Sequence, residues 1–279
     1  MPPVTASVSS GYLSQLAALV WQSVAQLVRA PSHSRRAEAR RHWALRSLRL
    51  AILAAVVIVA LMFIVDAYEI SLMPKRGSVS LWPLRILTEF GKSSYVMSAL
   101  LALLVAVALI AARLRGTSRA ILISFGTRIQ YILLSVMLAV FSGEIIKGMV
   151  GRGRPFVGGD NVFTFSHFAW SEAYASLPSG HATTSFALAF AVSAVWPRAR
   201  LAMFTYAIVI ILTRLVLLAH HPSDVMAGAL TGVIGAMAVR YWFAARHLAF
   251  TIRPDGSIDP LTGPGTVHLK RVAHEAIAP

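Results

Sequence analysis

Six apolar stretches run along the chain, at about 48–66, 94–112, 128–146, 181–197, 201–219 and 224–244. A bilayer core about 30 Å thick needs roughly 20 apolar residues as helix. The pattern therefore predicts an all-α, polytopic bundle of six transmembrane helices. Pro197-Arg198-Ala199-Arg200 joins the fourth and fifth as a tight basic turn. Ahead of the first, Leu13, Leu16, Val20, Val24 and Leu27 recur at helical spacing, with Gln15, Gln22, Ser23 and Gln26 between them. This stretch is too polar to span. It reads either as an interfacial helix on the membrane or as a segment packed against the bundle or partly disordered. Beyond the last span, Pro254-Asp255-Gly256 and Thr262-Gly263-Pro264-Gly265 mark a loop-rich or disordered extension. The chain divides into a basic N-terminal segment, 1–47, a six-span unit, 48–244, and a tail, 245–279. No internal repeat is evident.

Composition agrees with a membrane protein. Of the 279 residues, 57% are hydrophobic and 13% are charged, where a soluble domain carries about a quarter charged. The mean hydropathy is +0.67. A net charge of +15 would suit nucleic acid. The basic residues, however, cluster at the ends of apolar stretches, which fits anionic lipid headgroups as partners and not nucleic acid. With no cysteine, a disulfide, a thiolate metal site and a cysteine nucleophile are excluded. The first ten residues lack a basic n-region, so no cleaved signal peptide is expected.

Orientation follows the positive charges. Of the 26 Lys and Arg, only Lys75, Arg76, Arg85, Lys92, Lys147, Arg152, Arg154 and Arg214 lie on one side of the six-span layout. The rest fall before the first span, in the second and fourth loops, and at the C-terminal end. Both termini are expected to be cytoplasmic. In a bacterium this means a multi-pass inner-membrane protein whose other face meets the periplasm.

Three segments at the ends of spans carry candidate chemistry, all on that periplasmic face. Lys147 closes the third span, one turn after Glu144; alone, such a lysine reads as a snorkelling anchor. Arg154 follows in Gly151-Arg152-Gly153-Arg154-Pro155, where the glycines allow close backbone approach to a ligand. Arg152 is expected to face solvent or headgroups. Ser179, Gly180 and His181 open the fourth span after Pro178, and a helix N-terminus is a ready anion site. Arg214 lies inside an apolar helix, where a charge is costly and a functional role is the default. His220 comes near the end of that helix. Pro222 then breaks the chain, and Asp224 starts the last span. Asp224 could accept a hydrogen bond from His220 across the turn and fix its tautomer. His221 reads as a bland neighbour. Three cations, two histidines and a carboxylate suit holding a phosphate dianion and attacking it with an imidazole. A zinc site from His181, His220 and Asp224 is the competing reading, but the cations would repel Zn²⁺, so no metal and no cofactor are expected. Phe163, Phe165, Phe168, Trp170 and Tyr174 crowd the loop 156–177; they suit interface anchoring or a wall for lateral lipid access.

Lys147 with Arg154-Pro155, Pro178-Ser179-Gly180-His181, and Thr213-Arg214 followed by His220 and Asp224 resemble the ordered motifs KxxxxxxRP, PSGH and SRxxxxxHxxxD. These resemble the type 2 phosphatidic acid phosphatase superfamily, integral-membrane lipid phosphatases related to vanadium haloperoxidases. The one departure is Thr213 where the family usually has Ser; a hydroxyl remains. The resemblance implies that His220 attacks phosphorus to form a phosphohistidine, with Asp224 orienting it. His181 would protonate the leaving group and then activate water. Lys147, Arg154 and Arg214 would neutralise the equatorial oxygens, with Ser179 and the Gly180 N–H as further donors. The substrate would be a membrane lipid phosphate or diphosphate. Within that class an undecaprenyl diphosphate phosphatase, a lipid A phosphatase and a phosphotransferase stay open. A catalytically silent scaffold is the non-enzyme alternative. A transporter would place its polar groups at midplane and not at helix ends. No obligate protein partner is inferable.

Overall fold

A computed structural model describes residues 11–73, 80–155, 157, 161–253 and 255–263. Lys75, Arg76, Lys270, Arg271, Pro254, Pro264-Gly265 and the ten residues read for a signal peptide lie outside the described residues. Among the described residues the fold is all-helical apart from one small hairpin. In chain order the helices are α1 Tyr12–Val28, α2 His33–Ile64, α3 Asp66–Leu72, α4 Trp82–Glu89, α5 Ser93–Ala111, α6 Gly116–Val150, α7 Gly180–Val195, α8 Arg200–Val216 and α9 Pro222–Ala245. Among the described residues, five apolar helical stretches are long enough to cross a membrane: α2, α5, α6, Pro197–Val216 (α8 with the turn before it) and α9. The fourth expected span, 181–197, corresponds to α7, which is apolar but only 16 residues long.

Several boundaries differ from the hydropathy reading, for identifiable reasons. α2 starts at His33 and not near 48. Residues 33–47 are polar, yet they contain no Gly or Pro and are rich in Arg and Ala, which favour helix. The helix therefore runs on past the apolar stretch. α8 ends at Val216, so His220 sits in the link to α9 and not on the helix. Within that link Leu218 is buried and adopts φ +47°, a left-handed conformation unusual for leucine. α1 makes limited contact with the bundle, as Leu16 and Leu19 pack with Val107, Ala111 and Leu122. Leu13, Val20 and Val24 stay exposed. Part of the expected loop-rich tail is ordered: β1 Phe250–Ile252 pairs antiparallel with β2 Ile258–Pro260. Phe250 is fully buried and meets Tyr131 edge-on at 4.7 Å.

Small residues decide how the helices meet. α7 and α9 are the most extensively packed pair. A Cβ on Gly228 would lie 2.5 Å from the Ser179 carbonyl, and one on Gly232 would lie 2.5 Å from the Thr183 carbonyl and 2.8 Å from the Ala187 nitrogen. These are backbone atoms, which cannot move aside. Gly228 and Gly232 are four apart, the spacing that lets two membrane helices approach closely. The crossing brings the start of α7 against the start of α9, where the Ser179 N–H donates to the Asp224 carbonyl at 2.9 Å. Gly232→Leu is expected to abolish the monodisperse, folded species of the detergent-purified protein on size-exclusion chromatography. Gly11→Ala, at a position with nothing within 4 Å, should leave it intact.

Candidate active site

Four chain segments converge at one end of the bundle. α6 delivers Lys147 in its last turn and stops at Gly151, whose φ of +58° and N–H bond to the Lys147 carbonyl form a left-handed helix cap. A Cβ on Gly151 would also strike the Ser166 carbonyl at 1.8 Å, so the turn into Arg152–Arg154 requires glycine on two counts. α7 begins at Gly180 with Ser179 as its N-cap residue. The Lys147 Nζ lies 3.6 Å from where a Gly180 Cβ would stand, placing an ammonium beside the N–H groups of that helix start. Lys147 also pairs with Glu144 at 2.5 Å. The end of α8 supplies Arg214, and the link to α9 supplies His220.

Around His220 the geometry is specific. Its Nδ1 lies 2.9 Å from the Ser176 carbonyl. A carbonyl only accepts, so Nδ1 carries the proton and Nε2 keeps its lone pair. Burial, then the charges of Arg214 and Arg154, then His181 and Lys147, hold the His220 pKa well below the ordinary imidazole value. The ring is therefore neutral at physiological pH, and those four neighbours share its electrostatic field. His181 is partly buried, with its Cδ2 facing Gly91. The Arg214 Nη1 donates to Thr88 Oγ1 at 3.0 Å, and Arg154 pairs loosely with the exposed Glu172 at 3.5 Å. Ser179 Oγ is buried without an acceptor, as are the Nε atoms of Arg154 and Arg214. Buried donors normally have partners, so this end of the bundle is short of acceptor oxygens.

Two expectations are corrected. Arg152 does not face solvent or headgroups; it is fully buried. Its Nη2 donates to Asp66 Oδ2 at 2.8 Å, and its Nη1 donates to Asp224 Oδ1 at 2.7 Å and to Ser223 Oγ at 2.5 Å. Asp224 does not bond His220 directly. At the third position of α9 it turns back to accept the His221 N–H at 2.9 Å and the Ser176 hydroxyl at 2.6 Å, the reciprocal arrangement of a helix-capping box. Ser176 thus stands between them, its hydroxyl on Asp224 and its carbonyl on His220. His221 is the N-cap residue of α9, a structural position in keeping with its bland reading. Thr213 Oγ1 donates to the Ile210 carbonyl of its own helix. Among the described residues no group of three or more His, Asp or Glu is placed to hold a metal ion.

Sequence reasoning missed Asp66, Glu69, Thr88 and Ser176. Asp66 caps the start of α9, accepting the Ser223 N–H at 3.1 Å and its hydroxyl at 2.5 Å. Asp66 and Glu69 are two acidic residues just past the first span, a signal that could have flagged them. The other two stand in segments without distinguishing pattern. In the aromatic loop, Trp170 lies flat on Gly148 and Phe163 meets Phe63 at 5.0 Å, while Phe168 and Trp170 stay exposed.

Glu69 is buried with both carboxylate oxygens unpartnered. Burial, then the Asp66 and Asp224 charges, push its pKa up from 4.5 to about 7. The folded protein therefore keeps a proton on Glu69 that the unfolded chain releases above pH 4.5. This contribution to stability is complete below that pH and is lost as pH rises through about 7. Glu69→Gln is expected to raise the thermal unfolding midpoint by a few degrees at pH 8, the gain vanishing by pH 5. An equal gain at both pH values would contradict the assignment.

Residues 129–248 match the PAP2 superfamily, and this stretch contains all three motifs. Lipid A 1-phosphatases of Rhizobium johnstonii and Rhizobium etli are each 35% identical over 127 residues, 45% of this chain and 52% and 55% of theirs. The chain spans about half the length of these curated relatives. No solved structure matches the chain significantly. The described residues form a helical bundle with five helices long and apolar enough to cross a membrane, and the candidate site lies at one end of it. Over residues 129–248, which carry the candidate site, the chain is similar to the type 2 phosphatidic acid phosphatase superfamily.

Proposed function

We propose that the chain is a lipid phosphate phosphatase that works through a phosphohistidine on His220. The observation that carries this reading is the His220 ring: Nδ1–H is tied to the Ser176 carbonyl, and Nε2 keeps its lone pair beside the charges of Arg214, Arg154 and Lys147. Nε2 attacks phosphorus, and the bond to the leaving oxygen breaks. His181 gives that oxygen its proton. In the second step His181 takes a proton from water, the water oxygen attacks phosphorus, and the P–N bond breaks to release phosphate. Lys147, Arg154 and Arg214 stabilise the charge on the equatorial oxygens, with Ser179 Oγ and the first N–H groups of α7 as further donors. Three fixed cations supply what a divalent metal supplies in other phosphoryl transfers, so the reaction is metal-independent.

Asp224 supports His220 through Ser176, and through its ion pair with Arg152. The substrate is a lipid whose chain stays in the bilayer while its phosphate reaches the end of the bundle. The names of the Rhizobium relatives favour a lipid A-type phosphate over a prenyl diphosphate. The site faces the periplasm of a bacterial inner membrane, on the argument from the distribution of Lys and Arg.

Purified protein in EDTA is expected to release phosphate from a long-chain lipid phosphate, with kcat/KM well above that for glycerol phosphate. His220→Ala should lower the rate by at least about 10³-fold and remove the trapped phosphoenzyme. His181→Gln should slow turnover by about 10²–10⁴-fold while still trapping phosphate from a substrate with an activated leaving group. A near-normal rate for His220→Ala, or a strict need for added Mg²⁺ or Zn²⁺, would refute the mechanism. For sidedness, alkaline phosphatase fused after Phe163 should be active and fused after Arg115 inactive. The opposite pattern would invert the topology.

A further inference from the structure

At the far end of α9 from the candidate active site lies a cavity of about 380 Å³. Its walls come from the start of α2 and the end of α9, including Arg36, Arg40, Trp43, Tyr241, Trp242 and Arg246. α9 is 24 residues long, so the two ends stand roughly 36 Å apart at 1.5 Å per residue. The cavity is basic, and it has no carboxylate in its wall. Among the described residues, Arg36, Arg40 and Arg246, with neighbouring Arg29, form no ion pair with an acid. Arg246 is 7% exposed, yet its Nε has no acceptor, and the buried Nε1 of Trp43 has none either.

The arginines are held together against their mutual repulsion. The Arg29 guanidinium donates to the Arg246 carbonyl at 2.8 Å, and Arg246 stacks on the Trp242 ring at 3.6 Å. Arg46 donates to Tyr241 Oη at 3.0 Å, and Trp242 Nε1 donates to the Leu27 carbonyl at 3.2 Å. Burial first, then the charges of Arg36 and Arg29, lower the pKa of Arg246. A preorganised cluster of like charges with unfilled donors is complementary to an anion with several oxygens, and planar guanidinium groups match phosphate in particular. The remaining wall is apolar, with Ala39, Ala238 and Ala245 beside the aromatic rings. Trp242 is half exposed on the outer surface of the bundle. Arg, Trp and Tyr together at the end of a spanning helix occupy the headgroup level of a bilayer.

We infer that this cavity is a second phosphate-recognition site, which takes the phosphate headgroup of an anionic phospholipid from the leaflet opposite the candidate active site. The site does not rest on the phosphatase reading, because its ligand is bound and not turned over. It would make binding of anionic lipid stabilise the contact between the α1–α2 elbow and the end of α9.

The test uses the full chain in neutral detergent, with native mass spectrometry counting retained phosphatidylglycerol or phosphatidylcholine. Wild type is expected to retain phosphatidylglycerol and not phosphatidylcholine. Arg36→Gln with Arg40→Gln should weaken retention at least tenfold, the scale expected for lost charge-assisted contacts. Neither guanidinium hydrogen-bonds the protein among the described residues, and the doubly lysine-substituted protein keeps the charge as a check on folding. Arg198→Gln with Arg200→Gln, which removes equal charge from the α7–α8 turn, should leave retention unchanged. Displacement by millimolar inorganic phosphate would assign the site to a free phosphate anion, and resistance to it would assign the site to the lipid headgroup. Equal retention by wild type and the Arg36/Arg40 variant, or an equal loss in the Arg198/Arg200 variant, would overturn the proposal.

Discussion

The Arg152 guanidinium, buried between Asp66 and Asp224, is the contact on which the candidate site depends. All three side chains are fully buried. Burying a charge is costly unless it is paired and hydrogen-bonded, and removing one partner of such a pair typically costs about 3–5 kcal/mol. The two terminal nitrogens of Arg152 find their carboxylates only if three distant segments meet: the turn after α6, the start of α3 and the start of α9. Ser223 completes the arrangement, accepting from Arg152 and donating to Asp66. The N-terminus of α9 is thereby capped from two directions, by Asp66 and by its own Asp224. With that terminus held, Ser176 is held, and through the Ser176 carbonyl so is the tautomer of His220.

Charge is layered around this contact. Asp66, Glu69 and Asp224 are buried with one guanidinium between them, and the proton on Glu69 relieves part of the surplus negative charge. Beyond Ser176 the sign changes, and the charges of Arg214, Arg154 and Lys147 act on the imidazole. This separation keeps His220 neutral while leaving its surroundings receptive to a dianion. Had Asp224 contacted His220 directly, the same carboxylate would have favoured the charged ring. The intervening hydroxyl and carbonyl transmit orientation with less of the charge.

Close helix approach is the other requirement. The site needs the starts of α7 and α9 to touch, and a crossing of ordinary side chains would hold them 8–10 Å apart. Gly228 and Gly232 remove that spacing along one face of α9. α4 adds a contact from outside the matched region, because Thr88 receives Arg214 and Gly91 packs near His181. The connection between the first two spans therefore forms part of the wall of the site.

Much of the site is legible in the sequence. Lys147, Arg154, Ser179, His181, Arg214 and His220 are polar residues where apolar stretches end, and a bilayer gives such residues few other roles. The helices are legible because hydrophobic length reports directly on what can cross a membrane. What the sequence could not show is which way each charge points. Arg152 and Arg154 are the same residue type two positions apart between glycines. One is buried in an ion pair and the other lends its charge to the surroundings of His220, and only the path of the turn after Gly151 separates them. Asp66 lies 86 residues from Arg152 along the chain, too far for any local pattern to connect them. Asp224 bonds its own helix start and Ser176 in place of His220, because the first turn of a helix leaves N–H groups that a nearby carboxylate fills first. Local chemistry was thus set by residue type and by the water–lipid boundary. The pairing of buried charges was decided by tertiary contacts, because the cost of burying a charge is settled only by what stands next to it.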